Sequence, residues 1–327
     1  MGNIKEENNI MKKCLTILFS AACLLSACTS NNSTSNNSSS AKPQTSSSSS
    51  VVLETVISSS ELDVMAKKIL EQNSEENFVL PSKCWNTTTT VNNIKYENVP
   101  SAINELLSSK TSLAYDMENG YFYMAADVSA SNDSGDTIMN NVAYCYLEGK
   151  KMIYAESAYG KNYYFEQEFA TLEEAHAYVN EGILGMVSEE FYSYLSGTDT
   201  LEAIISGVEM DTSEEMKNEN KILEMNISAT SSNENSFKAA IVANGTYNFT
   251  EDNYNVEQVQ SAKVECEFAD GIQLYSLREN NVTETYDDGT GNLMKTSIEN
   301  NVEILNKYEF EYLYPNLSEF TRVEPSL

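Results

Sequence analysis

Histidine, cysteine and carboxylate side chains carry most enzyme chemistry, and this chain of 327 residues supplies one histidine, six cysteines and 49 acidic residues. The histidine, His176, follows Thr171-Leu172-Glu173-Glu174 and lies between Ala175 and Ala177. A Ser/His/Asp triad would have to use this one residue, and the sequence has no G-x-S-x-G elbow to hold its nucleophile. A zinc site built on two or three histidines has nothing to draw on. A glycosidase pair needs only two carboxylates about 5–9.5 Å apart, but so many carboxylates single out no pair. The loops Asp287-Asp288-Gly289-Thr290-Gly291-Asn292 and Asn132-Asp133-Ser134-Gly135-Asp136 offer oxygens to a cation. They lack the alternating ligands and terminal Glu of a calcium loop, so both read as hairpin turns. There is no phosphate-binding or dinucleotide glycine fingerprint. The expectation is a protein that is not an enzyme and uses no metal or cofactor.

Aromatic residues are the more informative side chains, with 20 Tyr, 11 Phe and a single Trp. Tyr121, Tyr123, Tyr144, Tyr146, Tyr154, Tyr163 and Tyr164 crowd one stretch. On a half-buried sheet tyrosine joins an apolar body to a wet hydroxyl, so structure alone accounts for them. If they line one concave face, Tyr121, Tyr123, Tyr144, Tyr146 and Tyr154 are the first candidates for ligand contact. Trp85, beside Cys84 at the edge of an element, reads as a core plug; exposed, it could stack on sugars or peptides.

Residues 11–28 read MKKCLTILFSAACLLSAC. Lys12 and Lys13 precede an apolar run of the secretory type, too short for a membrane span of roughly 20 residues. Its end, Leu25-Ser26-Ala27-Cys28, resembles the lipobox of bacterial lipoproteins. The resemblance implies a diacylglyceryl group on Cys28 and cleavage before it, which anchors the protein at the extracytoplasmic face of a cell membrane. Each acyl methylene contributes about 0.8 kcal/mol, so two or three chains hold firmly. Glu6 and Glu7 stand where a positive flank is expected, so Met11 is a candidate true start, and an opening Met-Gly followed by Glu6 at the sixth position does not fit myristoylation. Cys14 and Cys23 leave with the signal. Cys84, Cys145 and Cys266 remain; one disulfide and one thiol is an option outside the cytoplasm, while Cys145 and Cys266 sit in strand-like alternation, as buried apolar cysteines do.

With 20 basic residues against 49 acidic, the formal charge is −29. Such a chain repels nucleic acid and anionic headgroups. The partners left to it are the membrane through Cys28, a lipid-like or amphiphilic ligand, and a cell-wall or protein partner. At 41% hydrophobic residues the chain can fill a core.

Three segments follow: a signal peptide over 1–27, the lipidated cysteine and a Ser/Asn-rich tether over 28–60, and a single β-rich ectodomain over 61–327. The tether composition predicts a coil whose reach grows as about 5–6 Å times the square root of its length. Leu62, Met65, Ala66, Ile69 and Leu70 predict a helix over 61–72 capped by Ser60, and Pro100 suits the first turn of a short helix over 99–107. Strands are predicted over 112–117, 121–128, 141–147, 152–157 and 163–169, a meander whose short turns require antiparallel pairing. Thr171 and Glu174 spell a capping box that opens a helical segment over about 171–208. A charged connection over 211–221 follows. Strands resume over 222–230 and 236–243, turn at Asn244-Gly245 into 246–251, and continue over 256–269, 272–278, 282–287, 293–299 and 302–314. Clean alternation in these strands buries one face.

The order of helix, meander, helical middle and second strand run resembles the lipoprotein-carrier superfamily that includes the LolA, LolB and LppX-type proteins. That resemblance implies an α+β fold, mainly antiparallel: an incomplete β-barrel or strongly curved sheet covered by a few helices, with an apolar groove for a lipid-like ligand. The other reading is a cell-surface or cell-wall interaction module without a cavity. Replacing Cys28 by Ala is expected to move the protein out of the membrane fraction; full retention of Cys28→Ala in that fraction would refute lipid anchoring.

Overall fold

The computed structural model describes residues 54–324 apart from 75, 133–134, 186–188, 252 and 292. The signal peptide, Cys28 and most of the tether lie outside the described residues. The order of elements is strand β1 (Thr55–Val56), helix α1 (Ser59–Gln72), β2 (Lys83–Glu97), β3 (Glu105–Asp116), β4 (Tyr121–Asn132), β5 (Gly135–Glu148), β6 (Lys151–Ala158) and β7 (Lys161–Glu168). Then come α2 (Leu172–Leu184), α3 (Glu189–Ser196), α4 (Thr198–Thr212) and α5 (Glu214–Glu219). The chain finishes with β8 (Glu224–Asn233), β9 (Ser236–Glu251), β10 (Tyr254–Ala269), β11 (Ile272–Asp287), β12 (Leu293–Lys307) and β13 (Thr321–Arg322).

All thirteen strands form one curved, open sheet in the order β1-β8-β9-β10-β11-β12-β2-β3-β4-β5-β6-β7-β13. Every pairing is antiparallel except that of β13 with β7. Local turn chemistry fixes the hairpins. Asp270 and Gly271 have φ of 51° and 81°, the positive pair that a two-residue hairpin requires. At Gly120, φ is 58°, and one oxygen of the Asp116 carboxylate accepts the Glu118 and Asn119 N–H groups at 3.0 Å each.

Alternation sorts the side chains onto two faces. On one, Phe122, Met124, Cys145, Met152 and Tyr154 meet Ala175, Val179 and Ile183 of α2 and Phe191 and Leu195 of α3. On the same face Leu62, Ala66 and Ile69 of α1 and Leu201, Ile204 and Val208 of α4 pack on Phe237, Ile241 and Phe268. Burial of each large apolar side chain here contributes about 1.5–3 kcal/mol, which is why helices this short are stable at all.

Between the two apolar clusters lies a buried polar seam. The last carbonyls of α3 have no partner within the helix, and sheet and loop side chains satisfy them: Asn306 Nδ2 and Gln273 Nε2 both donate to the Tyr194 carbonyl at 3.0 Å. Asn73 Nδ2 donates to the Ser196 carbonyl at 2.7 Å and to that of Gly271 at 2.8 Å. Asn86 Nδ2 in turn donates to Asn306 Oδ1 at 2.8 Å, and Thr88 donates to Asn86 Oδ1 at 3.1 Å. Gly197, with φ of 70°, makes the sharp step from α3 to α4; a Cβ there would sit 2.6 Å from Phe268 Cζ.

Several sequence expectations are corrected. The segment predicted as a helix over 99–107 is a loop followed by β3, because Glu105 onward pairs on both sides, with β2 and β4. Helix α1 is capped by Ser58 rather than Ser60, with Ser58 and Glu61 forming the box, so the helix starts at Ser59 rather than residue 61. Asn244-Gly245 is not a turn: β9 runs through it. Glycine is needed there because the Lys221 carbonyl oxygen lies 2.1 Å from where a Cβ would be. Residues 272–287 and 293–307 are single long strands, and the strand expected over 302–314 stops at Lys307. The capping box at α2 is half formed: Thr171 accepts the Glu174 N–H, but Glu174 accepts from Ala170 rather than from Thr171. Strand β2 was not anticipated.

Replacing Asn306 by Ala removes two donors and one acceptor from the seam, at a cost of about 1–3 kcal/mol for each buried group left unpaired. The expected outcome is a clearly lowered urea midpoint with an unchanged slope; an unchanged midpoint would contradict the role given to the seam.

Candidate functional site

The five candidate tyrosines divide between the two faces. Tyr154 stands in the helix-covered core, its ring stacked on Phe165 at 5.2 Å and its hydroxyl donating to the buried carboxylate of Glu156 at 2.9 Å. Tyr163 donates to the same oxygen at 2.7 Å. Tyr121, Tyr123, Tyr144 and Tyr146 belong to the opposite face.

That face is clasped by the chain's own end. After Lys307 the backbone leaves the sheet; Tyr308 still packs with the helix-covered cluster, and from Phe310 the chain crosses the opposite face as a strap. The Tyr312 ring lies 4.7 Å from that of Tyr121, and Tyr314 lies 4.9 Å from Tyr146. Tyr121 is buried, and its hydroxyl both donates to the Leu313 carbonyl and accepts the Leu313 N–H. Tyr312 donates to Asp116 Oδ2 at 2.7 Å, joined by Asn119 Nδ2 at 3.0 Å. Lys83 sits 5.0 Å from the Phe310 ring centroid, a cation–π contact. Past the strap, Thr321 and Arg322 pair with Tyr163 and Tyr164. The spacing Tyr308-Phe310-Tyr312 imitates a strand, but Tyr308 packs with the helix-covered cluster while Phe310 and Tyr312 pack on the opposite face, a division that sequence periodicity does not reveal.

Burial sets the electrostatics. It pushes the hydroxyls of Tyr121, Tyr115 and Tyr308 well above the ordinary tyrosine value. Burial also opposes ionisation of Asp116, yet the hydrogen bonds from Tyr312, Asn119 and Glu118 prevail and hold its carboxyl below the ordinary range. Cys84, Cys145 and Cys266 are free, buried thiols, each pushed up to about 12 by burial; at neutral pH they are inert apolar fillers.

Residues weighed for other chemistry lie apart. His176 is on α2, partly exposed, its Nδ1 near Gly120. Asp287 and Asp288 spend carboxylate oxygens on the Gly289 and Thr290 N–H groups of their own turn. Among the described residues no group of three or more His, Cys, Asp or Glu side chains converges as a metal site would require.

Two surface depressions are more open to a ligand. One, of about 480 Å³, is lined by Val56, Ile57, Ile227, Ala229, Ala239, Ala240, Cys266 and Tyr275, with Lys238, Glu265 and Glu267 among its polar neighbours. Lys238 bonds Glu54 at 2.7 Å and approaches Glu267 at 3.6 Å, and the bond to Glu54 raises its pKa. The second, of about 390 Å³, lies at the other end of β2, β3 and β4 and is polar, with Asn93, Lys95, Tyr96, Asn104 and Asn132 in its lining. Sequence reading missed the first because its lining comes from β1, β8, β9, β10 and β11, each with unremarkable alternation.

No protein-family model matches the chain, and no curated protein matches it significantly.

The Asp116–Tyr312 contact gives the clasp a pH signature. A carboxyl whose folded pKa is depressed contributes stability present above its unfolded value of about 3.9 and lost as pH falls through the lower folded value. Stability of the wild type is therefore expected to drop below about pH 4 more steeply than that of Asp116→Asn; parallel acid limbs in urea titrations would remove Asp116 from the account.

Proposed function

We propose that this chain is a lipid-anchored, extracytoplasmic binding protein, not an enzyme, that holds a lipid-like or otherwise amphiphilic ligand in the apolar depression beside β1, β8, β9 and β10. The carrying observation is the depression itself. Its volume, about 480 Å³, falls in the range of roughly 300–1,000 Å³ typical of small-molecule sites. Aliphatic residues, Cys266 and Tyr275 make up the larger part of its lining, and Ser228, Thr230, Lys238, Glu265 and Glu267 supply polar groups that orient a ligand with a polar head. The curved, open antiparallel sheet with helices on one face also fits the incomplete barrel of the LolA-like carrier proteins. In those carriers the helices form a lid, whereas here α2 and α3 pack directly on the strands, so the groove moves to the edge of the sheet.

A second reading is a cell-surface or cell-wall interaction module. Its support is the aromatic face, which the strap covers only in part, leaving Trp85, Tyr123 and Tyr144 half-buried.

Ala240 lines the depression, so Ala240→Trp fills it with minimal change elsewhere. In the Cys28→Ala background, which avoids detergent, a fluorescent polyene fatty acid is expected to bind saturably and at least tenfold more weakly after Ala240→Trp. Failure of the parent protein to bind, or equal binding by both, would abandon the amphiphile reading in favour of the interaction module.

A further inference from the structure

Trp85, Ala114, Tyr123 and Tyr144 occupy one row of the strap-side face, paired in register across β2, β3, β4 and β5. Strands two apart in a sheet are about 9.5 Å apart, yet the Trp85 and Tyr123 rings approach to 5.3 Å, nearly parallel at 27°. They can do so because the residue between them is alanine: both rings lean over Ala114, which is fully buried. The Tyr144 ring continues the row 5.4 Å from Tyr123. At the other end Phe310 of the strap meets Trp85 at 5.6 Å. The three sheet aromatics are half-buried, unlike Tyr121 and Tyr146 under the strap, which are buried.

The next row on this face is polar at Thr87 and Ser112 and apolar at Ala125 and Val142. Thr87 and Ser112 pair beside the aromatic row, with the Thr87 hydroxyl accepting the Trp85 Nε1–H at 3.1 Å. One row further, Lys110, Asp127 and Asn140 lie side by side across β3, β4 and β5. A line of aromatic rings with hydroxyl groups beside its Trp85 end and charged and amide groups two rows on suits a ligand with alternating C–H and O–H surfaces. The negative face of an aromatic ring attracts the polarised C–H groups of a pyranose, and the polar border can exchange hydrogen bonds with its hydroxyls. An acyl chain would leave that border unpaired. The formal charge of −29 disfavours an anionic polymer.

We propose that the Trp85-Tyr123-Tyr144 row is a binding platform for an uncharged glycan chain, distinct from the depression at β8–β10 and independent of the amphiphile reading. Such a surface on a tethered protein would bind neutral cell-wall or cell-surface polysaccharide.

The test uses the full chain, solubilised in a detergent without a sugar headgroup, titrated calorimetrically with N-acetylglucosamine hexamer, with cellohexaose and with polygalacturonate. Saturable binding of at least one neutral oligomer is expected, weakened at least tenfold in Trp85→Ala and in Tyr144→Ala. Tyr144 stands at the end of the row away from Phe310, so Tyr144→Ala keeps the test valid if Trp85→Ala loosens the strap. Tyr254→Ala, on the remote β10, is expected to bind as the wild type does. No binding of either neutral oligomer, binding of polygalacturonate alone, or unchanged affinity in Tyr144→Ala would overturn the proposal.

Discussion

The pairing of β12 with β2 holds this molecule together. It is the long junction between the strands before the central helices and those after them, running from Lys295 opposite Glu97 to Lys307 opposite Trp85, whereas β1 with β8 and β13 with β7 are joined over two residues each. On its helix-covered face Asn86 and Asn306 bond each other, and Asn306 reaches on to α3 and β11. The helices therefore dock at the seam through hydrogen bonds and on either side of it through apolar packing. A buried amide pair adds little net energy when satisfied, but once disturbed it leaves several groups unpaired at once, so the seam specifies register more than it adds stability.

The same junction determines what the other face presents. Lys307 is the last residue of β12 and its partner is Trp85, so the strap departs beside the only tryptophan. From there Phe310, Tyr312 and Tyr314 cover the row at Tyr121 and Tyr146 and stop short of Tyr123 and Tyr144. Covered and uncovered aromatics thus follow from where one strand ends. The clasp rests on the shared Tyr312, Asn119 and Asp116 contacts more than on its surface ion pairs, such as Lys83 with Glu309, which contribute little in water.

Much of this was legible in the sequence where local chemistry decides structure. The hairpins at Gly120 and at Asp270-Gly271, the Thr171 cap and the stripe from Leu62 to Ile69 act within a few residues, and they predict an antiparallel, helix-covered sheet. The misreadings come from long-range contacts. Strand β2 carries Thr88 and Asn92 on the face that holds the seam and Asn93 on the other, so polar residues fall on both faces and no apolar alternation marks the strand. Gly245 answers to the Lys221 carbonyl, 24 positions away. The division of the tyrosines, with Tyr154 on the face opposite Tyr121, Tyr123, Tyr144 and Tyr146, depends on strand parity and a strap whose alternation imitates a strand.

Amide hydrogen exchange on the full-length protein tests most directly whether the β12–β2 junction unites the ectodomain. Protection is expected to be lost at one common free energy by the paired amides of β2 and β12 and by those of β4 and β10, as in a single cooperative unit. Separate opening energies for β3–β6 and for β9–β11, with the β2 and β12 amides exchanging first, would show two independent halves and contradict the account.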